Sequence, residues 1–284
     1  MLVSEKMPFL YGYSGGAPPS SLEEFTIRPD RNAHYFTANP WPKQPPFDEI
    51  GYYEQRLSEE ESAVLRRHLQ TALAKRNTFS LSSHSADAGF EYCQAWLEGE
   101  ALEAQWHPFM IPTEIQPVVE VVRGLIAQLR SHPAGSLRAS LELIAPSKNL
   151  RLELQNRGSR AFTFFDFQNH AQGAEAEIRL RVTRRDEAPD VNSSLPIKLA
   201  GQSPIALPQA WTIPSTSEGR ITLNPNEHIF LELSREAWAK PYAALDRPLA
   251  IDCLLRVCFS HRSLRDELYI QQGWLMPQRL IVAE

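Results

Sequence analysis

The sequence predicts an α+β protein in two parts: an N-terminal ββαββα unit, in which an antiparallel sheet carries two helices, and then an antiparallel β-sandwich. Three observations predict it. Before Leu137, two hairpin-like pairs each lead into a segment of helical periodicity. After Leu137, apolar and polar residues alternate almost to the C-terminus. The chain has 284 residues, close to two domains at ~150 residues each. With 43% hydrophobic and 22% charged residues, both parts can bury a core. The expected divisions are an irregular arm over 1–22, an α+β domain over 23–135 and a sandwich over 136–284.

Gly12, Gly15, Gly16, Pro18 and Pro19 give the arm its irregular reading. Phe25–Arg28 and His34–Thr37 flank the turn-forming Pro29-Asp30-Arg31-Asn32, which predicts a hairpin. A proline-dense loop carries Trp41 and Phe47. Ser58-Glu59-Glu60-Glu61 then reads as a capping box, and Leu65, Leu69, Ala72 and Leu73 stripe a helix ending near Arg76. The plan repeats. Phe90–Leu97 and Ala101–Trp106 are strand-like around Glu98-Gly99, and Thr113-Glu114-Ile115-Gln116 reads as a second capping box. Val118, Val122, Leu125, Ile126 and Leu129 line the helix that follows, and His132-Pro133-Ala134-Gly135 marks the boundary.

Beyond it, Leu137, Ala139, Leu141 and Leu143 alternate with polar residues, as do Leu150, Leu152 and Leu154. Phe162, Phe164 and Phe167, then Ile178, Leu180 and Val182, continue the pattern. Further strands are expected at Pro196–Leu199, Gly219–Leu223, Ile229–Leu233 and Ala250–Phe259. Two segments carry a family likeness: Leu150-Arg151-Leu152-Glu153-Leu154-Gln155-Asn156-Arg157-Gly158 and Ile221-Thr222-Leu223-Asn224-Pro225-Asn226-Glu227. They resemble immunoglobulin-like accessory domains of intracellular proteinase inhibitors and metalloprotease propeptides, with Asn226 where those families usually place glycine. The resemblance covers about half the chain and implies an immunoglobulin-like architecture.

Charge and cysteine usage narrow the function classes. Residues 1–136 hold 11 basic and 17 acidic residues, net −6, whereas residues 137–284 hold 18 and 17, net +1. An acidic first part disfavours phosphate backbones and suits a basic protein partner, so no nucleic-acid role is expected. No run reaches the ~18 apolar residues that span a bilayer. The first residues lack a basic n-region and an apolar h-region. Three cysteines make no disulfide framework, and Cys253 and Cys258, five apart in one strand, face opposite ways. A reducing cytoplasm is the expected location.

Catalytic motifs fail on context. Gly12-Tyr13-Ser14-Gly15-Gly16 fits G-x-S-x-G, but it precedes every expected strand and Pro18-Pro19 blocks the helix a nucleophile elbow needs. No histidine has zinc spacing. Asp166 and His170 in one strand would stand ~13 Å apart, too far for one ion. The basic run Arg179, Arg181, Arg184 and Arg185 is followed at once by Asp186, Glu187 and Asp190, a solvated face rather than a phosphate site. No metal, cofactor or catalytic residue is therefore expected.

Surfaces remain. Trp41, Phe47, Trp106, His107, Phe109 and Trp211 lie in or beside proline-bounded loops, where each either packs on its own domain or meets a partner. The expected function is non-enzymatic protein binding, in its most specific form a bacterial immunity protein that neutralises a toxic enzyme. The alternatives are a hydrolase built from sequence-distant residues such as His84, Asp87 or Cys93, and an adaptor subunit of a secretion or envelope assembly.

Overall fold

The computed structural model describes residues 9–14, 22–38, 48–75, 90–107, 110–167, 177–184, 205–206, 219–239, 249–262 and 268–282. The expected strand at 196–199 lies outside them. The class is mixed α+β and rich in antiparallel strands. The chain divides into two compact units: residues 1–37 with 51–134, and residues 38–50 with 135–284.

The first unit contains β1 (Phe9–Ser14), β2 (Leu22–Ile27), β3 (Asn32–Thr37), most of β4 (Glu49–Arg56), α1 (Glu59–Ala74), β5 (Phe90–Leu97), β6 (Glu100–Trp106) and α2 (Gln116–Leu129). Its strands are ordered β4-β3-β2-β1-β5-β6, all antiparallel. Phe9, Tyr11, Phe25, Tyr35, Tyr53 and Cys93 from one face of that sheet share an apolar cluster with the buried sides of both helices. Each large side chain so buried contributes about 1.5–3 kcal/mol.

The local signals act as their chemistry requires. Ser58 Oγ accepts from Glu61 N at 3.1 Å and Glu61 Oε2 accepts from Ser58 N at 2.7 Å, closing the first capping box. Glu98 and Gly99 both take positive φ (52° and 86°), the geometry of a tight two-residue hairpin turn.

Two expectations need correction. Residues 9–14 are no irregular arm but an internal strand buried on both faces, with Phe9, Tyr11 and Tyr13 on one and Leu10 on the other, where Gly12 makes room for Tyr92. The second capping box does not form. Helix α2 begins at Gln116 after an uncapped Ile115, and Pro117 sits in its first turn, where a missing N–H leaves nothing unpaired. Ile115 and Gln116 N–H donate instead to Pro112 O, both at 3.0 Å.

The second unit holds β7 (Pro133–Ile144, from Gly135 on), β8 (Asn149–Asn156), β9 (Phe162–Phe165), β10 (Glu177–Arg184), β11 (Ile205–Ala206), β12 (Arg220–Leu223), β13 (His228–Leu233), α3 (Arg235–Ala239), β14 (Leu249–Arg262), β15 (Leu268–Leu275) and β16 (Leu280–Val282). Strands β7, β8 and β13 pair in that order. A second set runs β11-β10-β14-β9-β12, with β15 and β16 also on β14. Residues 38–50 belong here: Ala139 N donates to Asp48 O at 2.7 Å, and Arg138 Nε to Asp48 Oδ2 at 3.0 Å.

Asn156, wholly buried, ties this unit together. Its Nδ2 donates to Arg160 O (2.7 Å) and Leu223 O (2.9 Å), and its Oδ1 accepts from Gly158 N (2.8 Å). The Asn226 turn docks on it through Asn226 N to Asn156 O at 2.9 Å. Asn226 has φ 64°, which asparagine tolerates nearly as well as glycine.

Candidate functional site

Of the six aromatic and histidine candidates, Trp41, Phe47, Phe109 and Trp211 lie outside the described residues. Trp106 has no surface to offer a partner. It is fully buried, its ring stands 6.4 Å from that of Tyr11, and its indole N–H donates to Glu91 Oε2 at 2.9 Å. Although it ends the edge strand β6, its size drew it inward against Tyr11 and the helices, as the alternative reading of such residues allowed. His107 is half-buried, and its carbonyl accepts from Met110 N at 2.8 Å. Among the described residues of this loop, Met110 is 64% exposed.

Glu91 itself is an anchor rather than a reactive acid. Arg123 of α2 donates to its Oε1 at 3.0 Å, so the pair pins the helix to β5. About two turns later, at the C-terminal cap of α2, Arg130 reaches the Tyr35–Tyr53 pair, whose Tyr35 hydroxyl donates to Glu23 at 2.9 Å. Cys93 on β5, beside Tyr11, is fully buried, and burial pushes its thiol up to about 12. The thiol stays protonated, which removes it as a nucleophile. His84 and Asp87 lie outside the described residues. Of the Asp166–His170 pair, only Asp166 is described, and it is buried. Ser14 of the G-x-S-x-G run pairs with Leu22 of the next strand, a strand-to-strand setting rather than strand-to-helix.

Two groupings were not singled out by sequence reasoning. The first lies across the face of the first sheet opposite α1 and α2, helix-free among the described residues, where Glu54, His34, Thr26, Leu10 and Gln94 stand side by side on β4, β3, β2, β1 and β5. His34 Nδ1 is 3.4 Å from Glu54 Oε1. Burial lowers the His34 pKa against the opposing pull of Glu54, so the ring is neutral at pH 7. Its Nε2, the Thr26 hydroxyl and Gln94 Oε1 are all buried without a hydrogen-bond partner.

The second lies on β13, β8 and β7. Phe230, 39% exposed, carries the Arg151 guanidinium over its ring at 4.9 Å and the His228 ring at 4.8 Å. Arg151 is held by Glu232 (2.9 Å) and Glu142 (3.4 Å), while Glu153 accepts from Ser140 Oγ at 3.1 Å and lies 3.5 Å from His228 Nδ1. The patch is thus an exposed aromatic with its charged neighbours already oriented, so little side-chain entropy is left to lose on contact. The period-two pattern placed Phe230 and Arg151 outward, but no sequence signal pairs residues 79 positions apart.

No described helix is long and apolar enough to cross a membrane. The chain matches no family model, and no curated protein matches it.

Proposed function

We propose that this chain is a non-enzymatic, cytoplasmic protein-binding protein, in its most specific form a bacterial immunity protein that occupies and silences a toxic enzyme. The observation that carries the reading is the Phe230 patch. Interface energy concentrates in aromatic and arginine side chains ringed by polar groups, and here Phe230 and Arg151 are stacked and held before any partner arrives. In the same proposal, the first unit is a ββαββα plan extended by β1 and β4, and the second is an immunoglobulin-like sandwich. What supports the latter is that the two motifs behind the resemblance meet at Asn156.

The hydrolase alternative has one observation in its favour, the His34–Glu54 pair with the Thr26 hydroxyl on the next strand. Thr26 is 1% exposed, which leaves a carbonyl carbon no approach to its oxygen, so binding is the stronger reading. An adaptor role differs in stoichiometry, since it predicts a multi-protein assembly. Affinity capture of the tagged full chain from its own cells, quantified by mass spectrometry, tests the proposal. One partner near equimolar is expected, with recovery falling at least about tenfold for Phe230→Ala. Recovery unchanged by Phe230→Ala refutes this surface, and no partner at all refutes the function.

A further inference from the structure

Among the described residues β13 pairs with β8 alone, so its other side is a sheet edge. The phase of the ladder tells which groups lie on that side. Asn156 N donates to Glu227 O at 2.9 Å, and in an antiparallel pair inward and outward residues alternate from there. Ile229, Leu231 and Leu233 turn their N–H and C=O groups to β8, and His228, Phe230 and Glu232 turn theirs outward. Among the described residues no backbone hydrogen bond takes up those outward groups.

Edge strands are ordinarily guarded by a lysine, a proline or a charge aimed across the edge. His228–Leu233 holds no lysine or proline. Its carboxylate is turned back, because Arg151 Nε and Nη2 both donate to Glu232 Oε1, at 3.2 and 2.9 Å. His228 likewise meets Glu153 through Nδ1. Among the described residues no bond reaches Glu232 Oε2 or His228 Nε2. Arg151, from β8, covers one side of the Phe230 ring, which stays 39% exposed.

The edge is also symmetric in its chemistry about Phe230. Outward from it come Ile229 and Leu231, both branched aliphatics, then His228 and Glu232, a base and an acid. A two-fold axis at Phe230 sets that ring beside its own copy and His228 against Glu232 of the second copy, at both ends. The backbone is in phase with the axis. Residues 228, 230 and 232 then meet 232, 230 and 228 of the second copy as the hydrogen-bonded pairs of an antiparallel ladder. Protonated on both nitrogens, His228 donates from Nδ1 to Glu153 and from Nε2 to Glu232 Oε2 of the second copy. Any strand could meet the free backbone groups, but the charge match at both ends comes with the chain's own sequence.

We propose that β13 pairs antiparallel with β13 of a second copy, in the register that opposes Phe230 to Phe230 and His228 to Glu232. The pairing stands apart from the protein-binding reading, although both use this edge. So short a strand pair is weak, with a Kd of about 10–100 µM, and a tighter partner displaces the second copy.

The test is sedimentation velocity of the full chain from about 1 to 200 µM, over which monomer is expected to pass to dimer. Phe230→Lys, which brings two ammonium groups together at the axis, is expected to weaken association at least about tenfold. Register is read by cross-linking in oxidised glutathione. The double variant His228→Cys, Glu232→Cys is expected to give a disulfide-linked dimer, because opposed residues of a hydrogen-bonded pair stand about 5.5 Å apart at Cα. Within one chain those positions are about 13 Å apart and cannot bridge. The native Cys93, Cys253 and Cys258 are buried, and either single variant is expected to stay monomeric on a non-reducing gel. A chain monomeric throughout, a dimer indifferent to Phe230→Lys, cross-linking by a single variant, or none by the double variant overturns the proposal. A cross-linked dimer from a chain that captures no partner supports the pairing and refutes the function; partner capture by a chain monomeric throughout does the reverse.

Discussion

The two faces of the first sheet are built from alternate residues of the same strands, yet they obey different rules. On the helix-covered face the charged groups and the indole are matched, although Thr37 Oγ1 and Gln55 Oε1 on that same face are buried without a partner. Glu91 takes the Trp106 indole and the Arg123 guanidinium, and Tyr35 donates to Glu23. On the helix-free face, Thr26, His34 and Gln94 hold polar atoms that are buried and unmatched, at a cost of about 1–3 kcal/mol each. Folding alone selects for the first arrangement and against the second. The lesson is that residues which cost stability point to function more directly than residues which supply it.

The largest expected effect on the covered face is Trp106→Ala. It removes the biggest buried side chain of the cluster and strips Glu91 of a donor, for a loss of about 4 kcal/mol by urea unfolding. A loss under about 1 kcal/mol would show that this face is not tightly packed. Arg123→Ala comes next, at about 2 kcal/mol. It leaves Glu91, 8% exposed at its side chain, to be balanced by Trp106 alone, and a loss under about 0.5 kcal/mol by urea unfolding would show that the pair does not pin the helix.

The comparison sharpens on the other face. Thr26→Val keeps the shape and deletes an unmatched hydroxyl, so it should stabilise the unit by about 1 kcal/mol; destabilisation would mean the hydroxyl is satisfied. The smallest effect is pH dependence. Burial holds His34 below its ordinary pKa, with Arg28 acting the same way and Glu54 and Asp30 opposing. The unfolded chain therefore takes up the proton first as pH falls. The stability of the neutral ring is present above about pH 6.5 and drains away below it. His34→Gln should flatten that part of a stability-against-pH curve, and an unchanged slope would place the titration elsewhere.

Much of the covered face was legible because its signals are local. Ser58 and Glu61 are three residues apart, Glu98-Gly99 names its own turn, and the helical stripes declare their buried sides. Strand β1 was hidden because the reason for Gly12, the Tyr92 ring, lies 80 residues away. Thr113 misled because a cap signal says nothing of the competing demand of Pro117. The helix-free row and the Phe230 patch depend on strand register, and alternation reveals which side a residue faces but not what stands beside it.

The most direct test of the claim that binding rests on surfaces folding does not need is native mass spectrometry of the captured complex, run beside thermal melting for wild type and Phe230→Ala. The account predicts a one-to-one complex for wild type, its loss in the variant, and melting temperatures that coincide. The same complex from both chains, or none from either, would contradict it.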